Sequence, residues 1–339
     1  TRLAILSRGL GDVYKRQLTT GRHHDSSPAY SPDGKHLLFV SDRDGETSQL
    51  YLMPVDGGES WALTDYALDL WDPVWSPDGR WIAVTAAVYP ECGYDPDCNT
   101  ELDEDRSEHP LVAHVADELL YRHRTEWDDG KVQHVLLIDA APGEIVRDLT
   151  PGTWHAPTFS AGGGRGYDFS PDGSLLCFIS NHDEDQATST NVDLWVVTID
   201  PTTEMSQHYA LKSVAVSNLT RENRGWDGAP LWSPDGRHIA YLSQATPGYE
   251  SDLKRLAVVD VQSEEIHYLT GPESFDNWIN DFAWSQDSRS IWFEGDVRAK
   301  TTLLRYDLEK ERIEECLTDG VFGGWELTPD ERYIVYTRS

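Results

Sequence analysis

Reactive side chains are plentiful in this 339-residue chain, but few are spaced for chemistry. The nucleophile of a serine hydrolase sits between two glycines, G-x-S-x-G, on a sharp strand-to-helix turn. The nearest approach is Gly58-Glu59-Ser60-Trp61-Ala62, which lacks the second glycine and opens a strand-like run. His109, His114 and His123 crowd together without the spacing of zinc ligands, and no CxxC pair accompanies them, so neither a metal nor a cofactor is expected. Gly162-Gly163-Gly164 precedes no helical pattern and reads as a loop rather than a phosphate cradle. Cys92 and Cys98 stand six apart in a loop-like segment. Either they close a small disulfide ring, which favours an oxidising compartment, or they are two unrelated thiols. Cys177 and Cys316 lie in strand-like runs and are expected as buried thiols. Charges of both signs crowd around one tryptophan from Arg122-His123-Arg124-Thr125-Glu126-Trp127 through Asp128-Asp129-Gly130-Lys131.

The elements that must carry these residues are set by a repeat. Ser31-Pro32-Asp33-Gly34 recurs at Ser76, Ser170 and Ser233, with worn copies Ser285-Gln286-Asp287-Ser288 and Thr328-Pro329-Asp330-Glu331. Proline presets φ, aspartate bonds the neighbouring backbone, and glycine takes the positive φ that closes a hairpin. Apolar runs flank each copy, such as Leu37–Val40 and Ile239–Leu242, and each unit closes on a Leu-Thr pair (Leu63-Thr64, Leu149-Thr150, Leu219-Thr220, Leu269-Thr270). The first unit reads as four strands at 29–31, 36–41, 49–55 and 61–64. Spacings of 45, 94, 63, 52 and 43 residues between successive turns fit four-stranded propeller blades, with the 94 holding an insertion over about residues 89–131. The fold class is therefore all-β, a propeller. Five blades and half of a sixth are expected, with Leu18-Thr19-Thr20 as the closing strand of an earlier one. The parent ring would hold about seven, so this chain is expected to be truncated at both ends. Tryptophans 75, 232 and 284 recur at one blade position and are expected in the core. Within the insertion, the acidic run 101–108 is expected as solvated surface, and 111–121 as a short helix or a strand pair.

Composition narrows the partners. Lys and Arg number 28 against 59 Asp and Glu, a net charge of −31, which repels nucleic acid and anionic lipid surfaces. No apolar run approaches the roughly 18 residues of a membrane span. Residues 7–17 resemble a translated sequencing adapter, so 1–17 is set apart from the propeller at 18–339. An export signal is not present in this segment.

The insertion carries a resemblance. Leu119-Leu120-Tyr121-Arg122-His123 followed by Glu126-Trp127-Asp128-Asp129-Gly130 resembles the blade insertion of bacterial prolyl oligopeptidase-family serine peptidases, in the dipeptidyl-peptidase V and acylaminoacyl-peptidase branch. Ser180-Asn181-His182-Asp183, Ser189–Val197 and Pro247–Asp252 agree with it, and the Cys92/Cys98 loop has a counterpart there. The resemblance covers the family's propeller alone. It implies a C-terminal α/β-hydrolase beyond Ser339 that supplies a Ser-Asp-His triad, so this chain holds no catalytic residue and is expected to be inactive alone. It implies an exported enzyme, periplasmic or secreted, that takes dipeptides or acylated residues from short peptides admitted through the propeller. The peptide's amino end would be held by Glu118, Glu126 and Asp128, with Trp127 as an apolar wall and Arg122 on a carbonyl or carboxylate. A TolB-like propeller serving as a periplasmic protein-binding scaffold is the alternative.

Overall fold

The computed structural model describes residues 17–20, 22–45, 47–108, 119, 122–123, 126–127, 129–158, 165–199, 216–317 and 322–338. Within these, five four-stranded antiparallel sheets follow one another along the chain. The first holds β1 (Asp25–Tyr30), β2 (His36–Ser41), β3 (Gln49–Pro54) and β4 (Trp61–Ala62). The second begins with β5 (Trp71–Trp75) and β6 (Trp81–Val88). Helix α1 (Pro96–Glu108) and the hairpin β7 (Arg122–His123) and β8 (Glu126–Trp127) then intervene before β9 (Val132–Asp139) and β10 (Ile145–Asp148) complete it. The third is β11 (Tyr167–Phe169), β12 (Leu175–Ser180), β13 (Asp193–Thr198) and β14 (Val216–Asn218). The fourth is β15 (Asp227–Trp232), β16 (His238–Ser243), β17 (Arg255–Asp260) and β18 (Ile266–Tyr268). The fifth is β19 (Ile279–Trp284), β20 (Ser290–Val297), β21 (Lys300–Asp307) and β22 (Arg312–Leu317). A pair, β23 (Phe322–Leu327) and β24 (Ile334–Arg338), follows. This is the propeller expected from the repeat.

Period-two alternation explains how the sheets stack. In β6, Ile82, Val84, Ala86 and Val88 pack with Leu38, Val40, Leu50 and Leu52 of the first sheet. Trp81 and Ala83 point the other way and pack with Tyr167, Phe169, Leu176 and Phe178 of the third. The third and fourth sheets share Leu194, Val196, Tyr241 and Val259, and the fourth and fifth share Leu242, Val258, Phe282 and Phe293. Each inner sheet is thus apolar on both faces, and burying one such Leu, Ile or Phe contributes roughly 1.5–3 kcal/mol. Trp232 and Trp284 are buried as expected; Trp75 is half-buried against the first cluster.

The turns have the anticipated chemistry. Ser31 Oγ donates to Asp33 Oδ1 and accepts from His36 N, while Asp33 Oδ1 accepts from Lys35 N. The set recurs at Ser76, Ser170, Ser233, Ser285 and Thr328. Gly34, Gly79, Gly173 and Gly236 sit at φ 70 to 72°, and the worn copies place Ser288 and Glu331 at 58° and 54°. Neighbouring turns touch: Ser288 Oγ accepts from Asp235 N at 3.0 Å, and Glu331 Oε1 from Gln286 N. All first-to-second-strand turns therefore share one rim. Antiparallel order sends the second-to-third-strand loops, the insertion among them, to the opposite rim.

The Leu-Thr repeat also has a structural reason. Leucines 63, 149, 219 and 269 enter the shared clusters. Thr64, Thr150, Thr220 and Thr270 are buried, each accepting the N–H of an early third-strand residue (Leu50, Val135, Leu194, Leu256) at 2.8 to 3.0 Å. Two expectations need correction. Leu18-Thr19-Thr20 forms no strand, because none of the described strands pairs with it. Cys316 is exposed, since β22 is the outer strand of its sheet; Cys177 is buried.

Candidate functional site

The first strands of all five sheets face one another around a cavity of about 440 Å3. A repeated backbone feature builds it. Four residues before the turn serine stand Ser27, Asp72 and Ala229, with φ of 48°, 50° and 56°, each followed by a proline that cannot donate to a ladder. Strand pairing shifts register at each of these places. The bulges turn these residues toward the ring interior. Asp281 occupies the same place in the fifth sheet and Gly166 in the third. Tyr167 ties the second and third sheets through its hydroxyl, which donates to Asp72 O.

The wall carries both signs of charge. Arg165, Lys254, Asp72, Asn280 and Asp281 all line the cavity. Asp281 opens onto it yet is surrounded by protein, and this burial raises its carboxyl pKa against the opposing pull of Phe282 N–H and Arg165. Behind Arg165, burial pushes Asp168 up to about 6, despite that guanidinium and the Trp232 N–H that Oδ2 accepts at 2.8 Å. Lys254 is 6% exposed, with Nζ 5.2 Å from the centre of the Trp226 ring and 5.0 Å from that of Trp278. Burial lowers its pKa, and the two indole faces favour the cation. Pro157, Arg165 and Lys254 come from connections on the insertion's rim, so the cavity lies toward that rim.

The insertion is rooted firmly. Cys92 and Cys98 are joined by a disulfide. Asp95 caps α1 by accepting from Asp97 N and Cys98 N, and Pro96 takes the first helical position. Helix 96–108 therefore stands where a loop-like segment was read around Cys98, while Asp97, Glu101 and residues 103–106 are exposed, as expected of the acidic run. Tyr89, 1% exposed, is the hub. Its hydroxyl donates to Asp103 Oδ1 at 2.8 Å, and Arg106 and Lys131 lie over its ring at 4.4 and 5.2 Å. Asn99 accepts from Tyr89 N and donates to Gly93 O and Asp95 O.

Of the residues the sequence nominated, Glu118 and Asp128 lie outside the described residues, as does most of 111–121. In the hairpin, Arg122 pairs with Trp127 and His123 with Glu126. Trp127 is 48% exposed. Trp127 is not among the described residues that line the cavity. The cavity residues Asp72, Arg165, Lys254 and Asp281 were not anticipated; the signal for Asp72 and Asp281 was their constant offset from the turn.

Nothing described forms a serine triad. The tightest histidine–carboxylate contact among the described residues is His134 Nδ1 to Asp148 Oδ2, 2.7 Å, both buried. His134 Nε2 meets the carbonyl of Gly152 at 3.0 Å rather than a hydroxyl, so the pair braces β9 against β10 and the following loop. No group of three or more His, Cys, Asp or Glu side chains suited to a metal occurs among the described residues. No helix among them is long and apolar enough to cross a membrane.

Known proteins share this plan. The TolB beta propeller domain family matches residues 4–91. Dipeptidyl-peptidase 5 of Porphyromonas gingivalis is 28% identical over 312 residues, covering 90% of this chain and 42% of that protein. The uncharacterized peptidase YuxL of Bacillus subtilis is 31% identical over 180 residues, covering 53% of this chain and 25% of that one. The chain is homologous to these peptidases. It spans less than half the length of either. Among solved structures, acylaminoacyl peptidase of Pyrococcus horikoshii superposes with a TM-score of 0.61 at 12% identity, over 90% of this chain and 40% of that one, a likeness of fold.

Proposed function

We propose that this chain is the substrate-gating propeller of a serine exopeptidase that releases dipeptides or acylated residues from short peptides. The observation that carries the reading is the cavity enclosed by all five first strands, lying toward the rim from which the insertion rises. A cavity of about 440 Å3 is far too small for a folded protein and suits a short, extended peptide. The mixed charges of its wall suit a zwitterionic peptide better than a uniform polyanion. The homology to dipeptidyl-peptidase 5 supports the reaction class. In this proposal the catalytic triad belongs to a C-terminal α/β-hydrolase following Ser339, and this chain alone hydrolyses nothing. The amino end of the peptide is held by Glu118, Glu126 and Asp128, beside Trp127 and Arg122. The Cys92–Cys98 disulfide supports an exported enzyme, periplasmic or secreted.

The coding sequence after Ser339 tests this. A further domain of roughly 250 residues with G-x-S-x-G, then Asp, then His supports the peptidase. A stop codon after one more half-blade favours the second reading, a TolB-like scaffold, which the family match over 4–91 keeps in view. In the complete enzyme, Glu118→Gln and Glu126→Gln are expected to slow dipeptide release from peptides with a free amino end. Unchanged release by both variants would remove the insertion from substrate binding.

A further inference from the structure

Two aspartates stand six residues before their turn serines, Asp25 in β1 and Asp227 in β15. Hydroxyls of the serine that ends the next strand (Ser41 or Ser243) and of the threonine of a preceding Leu-Thr pair (Thr19 or Thr220) lie close enough to each carboxyl to favour its charged form. In the first sheet Arg43 completes the set with an ion pair of 2.7 Å. In the fourth, the further partner is the neutral amide of Asn223, which donates to Asp227 Oδ1 at 2.8 Å. Asp227 is 0% exposed, and its Oδ2 has no hydrogen-bond partner among the described residues; the hydroxyl of the buried Tyr241 has none either.

The surroundings resist a charge there. Asp193, across the junction on β13, is 5% exposed and adds a like charge. The single hydrogen of Thr220 Oγ is directed at Asp193 Oδ1, 3.1 Å away. The cations nearby are engaged elsewhere: Arg224 lies 3.8 Å from Asp183, and Arg255 donates to Ser243 Oγ at 3.2 Å while covering the Tyr268 ring. Lys254 lies over Trp226. A bare, buried carboxylate oxygen beside a second carboxylate is costly, and a neutral carboxylic acid costs far less. The position also matters mechanically. Asp227 N donates at 2.8 Å to the O of Val192, the residue just before β13, and Ala229, two residues on, lines the cavity.

We infer that Asp227 is a proton-operated latch between the third and fourth sheets: protonated, it holds β15 against β13, and ionised, it loosens that junction and the ring wall at Ala229. The latch is independent of what passes through the ring. Burial pushes the Asp227 carboxyl up to about 7. A folded-state value above the unfolded one means the stabilisation is full at acid pH and is lost as pH rises from about 4 through 7.

Hydrogen exchange of the segments 191–195 and 226–232, followed by mass spectrometry between pH 5 and pH 8, reads the latch directly. Asp227→Asn copies the shape of the neutral acid. The opening constant of the wild type, relative to Asp227→Asn at each pH, is expected to rise on the order of ten- to a hundredfold across that range. Parallel profiles for the two proteins would overturn the inference. Should Asp227→Asn not fold, the infrared carbonyl band of a buried carboxylic acid is followed in the wild type and in Asp193→Asn. Removing the like charge at 193 is expected to move the band's titration to lower pH. A missing band, or an unmoved titration, would equally overturn it.

Discussion

Arg43 Nη2 lies 2.7 Å from Asp25 Oδ1, and the same guanidinium sits 4.8 and 4.9 Å from the ring centres of Phe39 and Tyr51. One side chain therefore neutralises a half-buried carboxylate and caps the apolar face of the first sheet. Burial pushes the Asp25 carboxyl up, but Ser41, Arg43 and Thr19 outweigh it, and the net shift is downward. A lowered folded value means the stabilisation is present above pH 4 and is lost as pH falls below it. Arg43→Met is expected to cost about 2 kcal/mol at pH 7, and less at pH 3, nearer the range in which Asp25 takes up a proton and the ion pair is lost. Urea unfolding at the two pH values checks this, and an equal loss at both would assign the effect to ring packing alone.

Gly34→Ala isolates the conformational demand of the turns. The residue sits at φ +70°, and an added Cβ would meet nothing within 4 Å. The expected loss of about 1 kcal/mol is then backbone strain without a clash. Ser288 already tolerates that region at φ 58° while its Oγ accepts from Asp235 N. Ser288→Gly should therefore gain less than the same amount. A shift of the urea midpoint in the opposite direction for either variant would contradict the account.

Thr64→Val keeps the shape of a buried side chain and deletes its hydroxyl. Thr64 Oγ1 accepts from Leu50 N at 3.0 Å and donates to Gln49 Oε1 at 2.8 Å. Both partners are buried, so a loss of about 1–3 kcal/mol is expected. Thr150→Val should behave alike, because Val135 N depends on it at 2.9 Å. Thermal unfolding of the two variants measures the effect.

Reduction of Cys92–Cys98 should be felt at the insertion and not in the sheets. The bridge closes a ring over a separation of six residues at the start of α1. A loop that short accounts for about 2 kcal/mol. With a thiol reductant, or in Cys92→Ser with Cys98→Ser, trypsin is expected to cut at Arg106 several-fold faster. Amide exchange in β6 and β9 should stay unchanged. Equal cutting with and without reductant would show that Tyr89, Asn99 and Asp103 hold the helix unaided.

The architecture was readable from Ser31-Pro32-Asp33-Gly34 and its copies because a hairpin turn is a local event, determined by neighbouring residues. The Leu-Thr pairs were equally visible, although their role, burying a leucine between sheets while the threonine hydroxyl accepts a strand N–H, needed three dimensions. Helix α1 was legible in principle, since Asp95-Pro96 is a cap followed by a favoured first residue; the charge-rich run beyond hid it, having no apolar stripe to betray a helix. The cavity was not legible. Asp72, Arg165, Lys254 and Asp281 are brought together around one cavity from sheets separated by up to some two hundred positions, and no spacing rule encodes that. Asp25 and Asp227 share one offset, yet their carboxyl pKa values shift in opposite directions: burial dominates at Asp227, whereas Ser41, Arg43 and Thr19 outweigh it at Asp25.

Every apolar cluster between sheets draws on at least two of them at once. A lone sheet has no interior of its own and gains one only when its successor arrives. Successive sheets are also adjacent in sequence, so the partner needed next is the one the ribosome delivers next. Folding can therefore keep pace with synthesis, each new hairpin pair sealing the flank of the one before it.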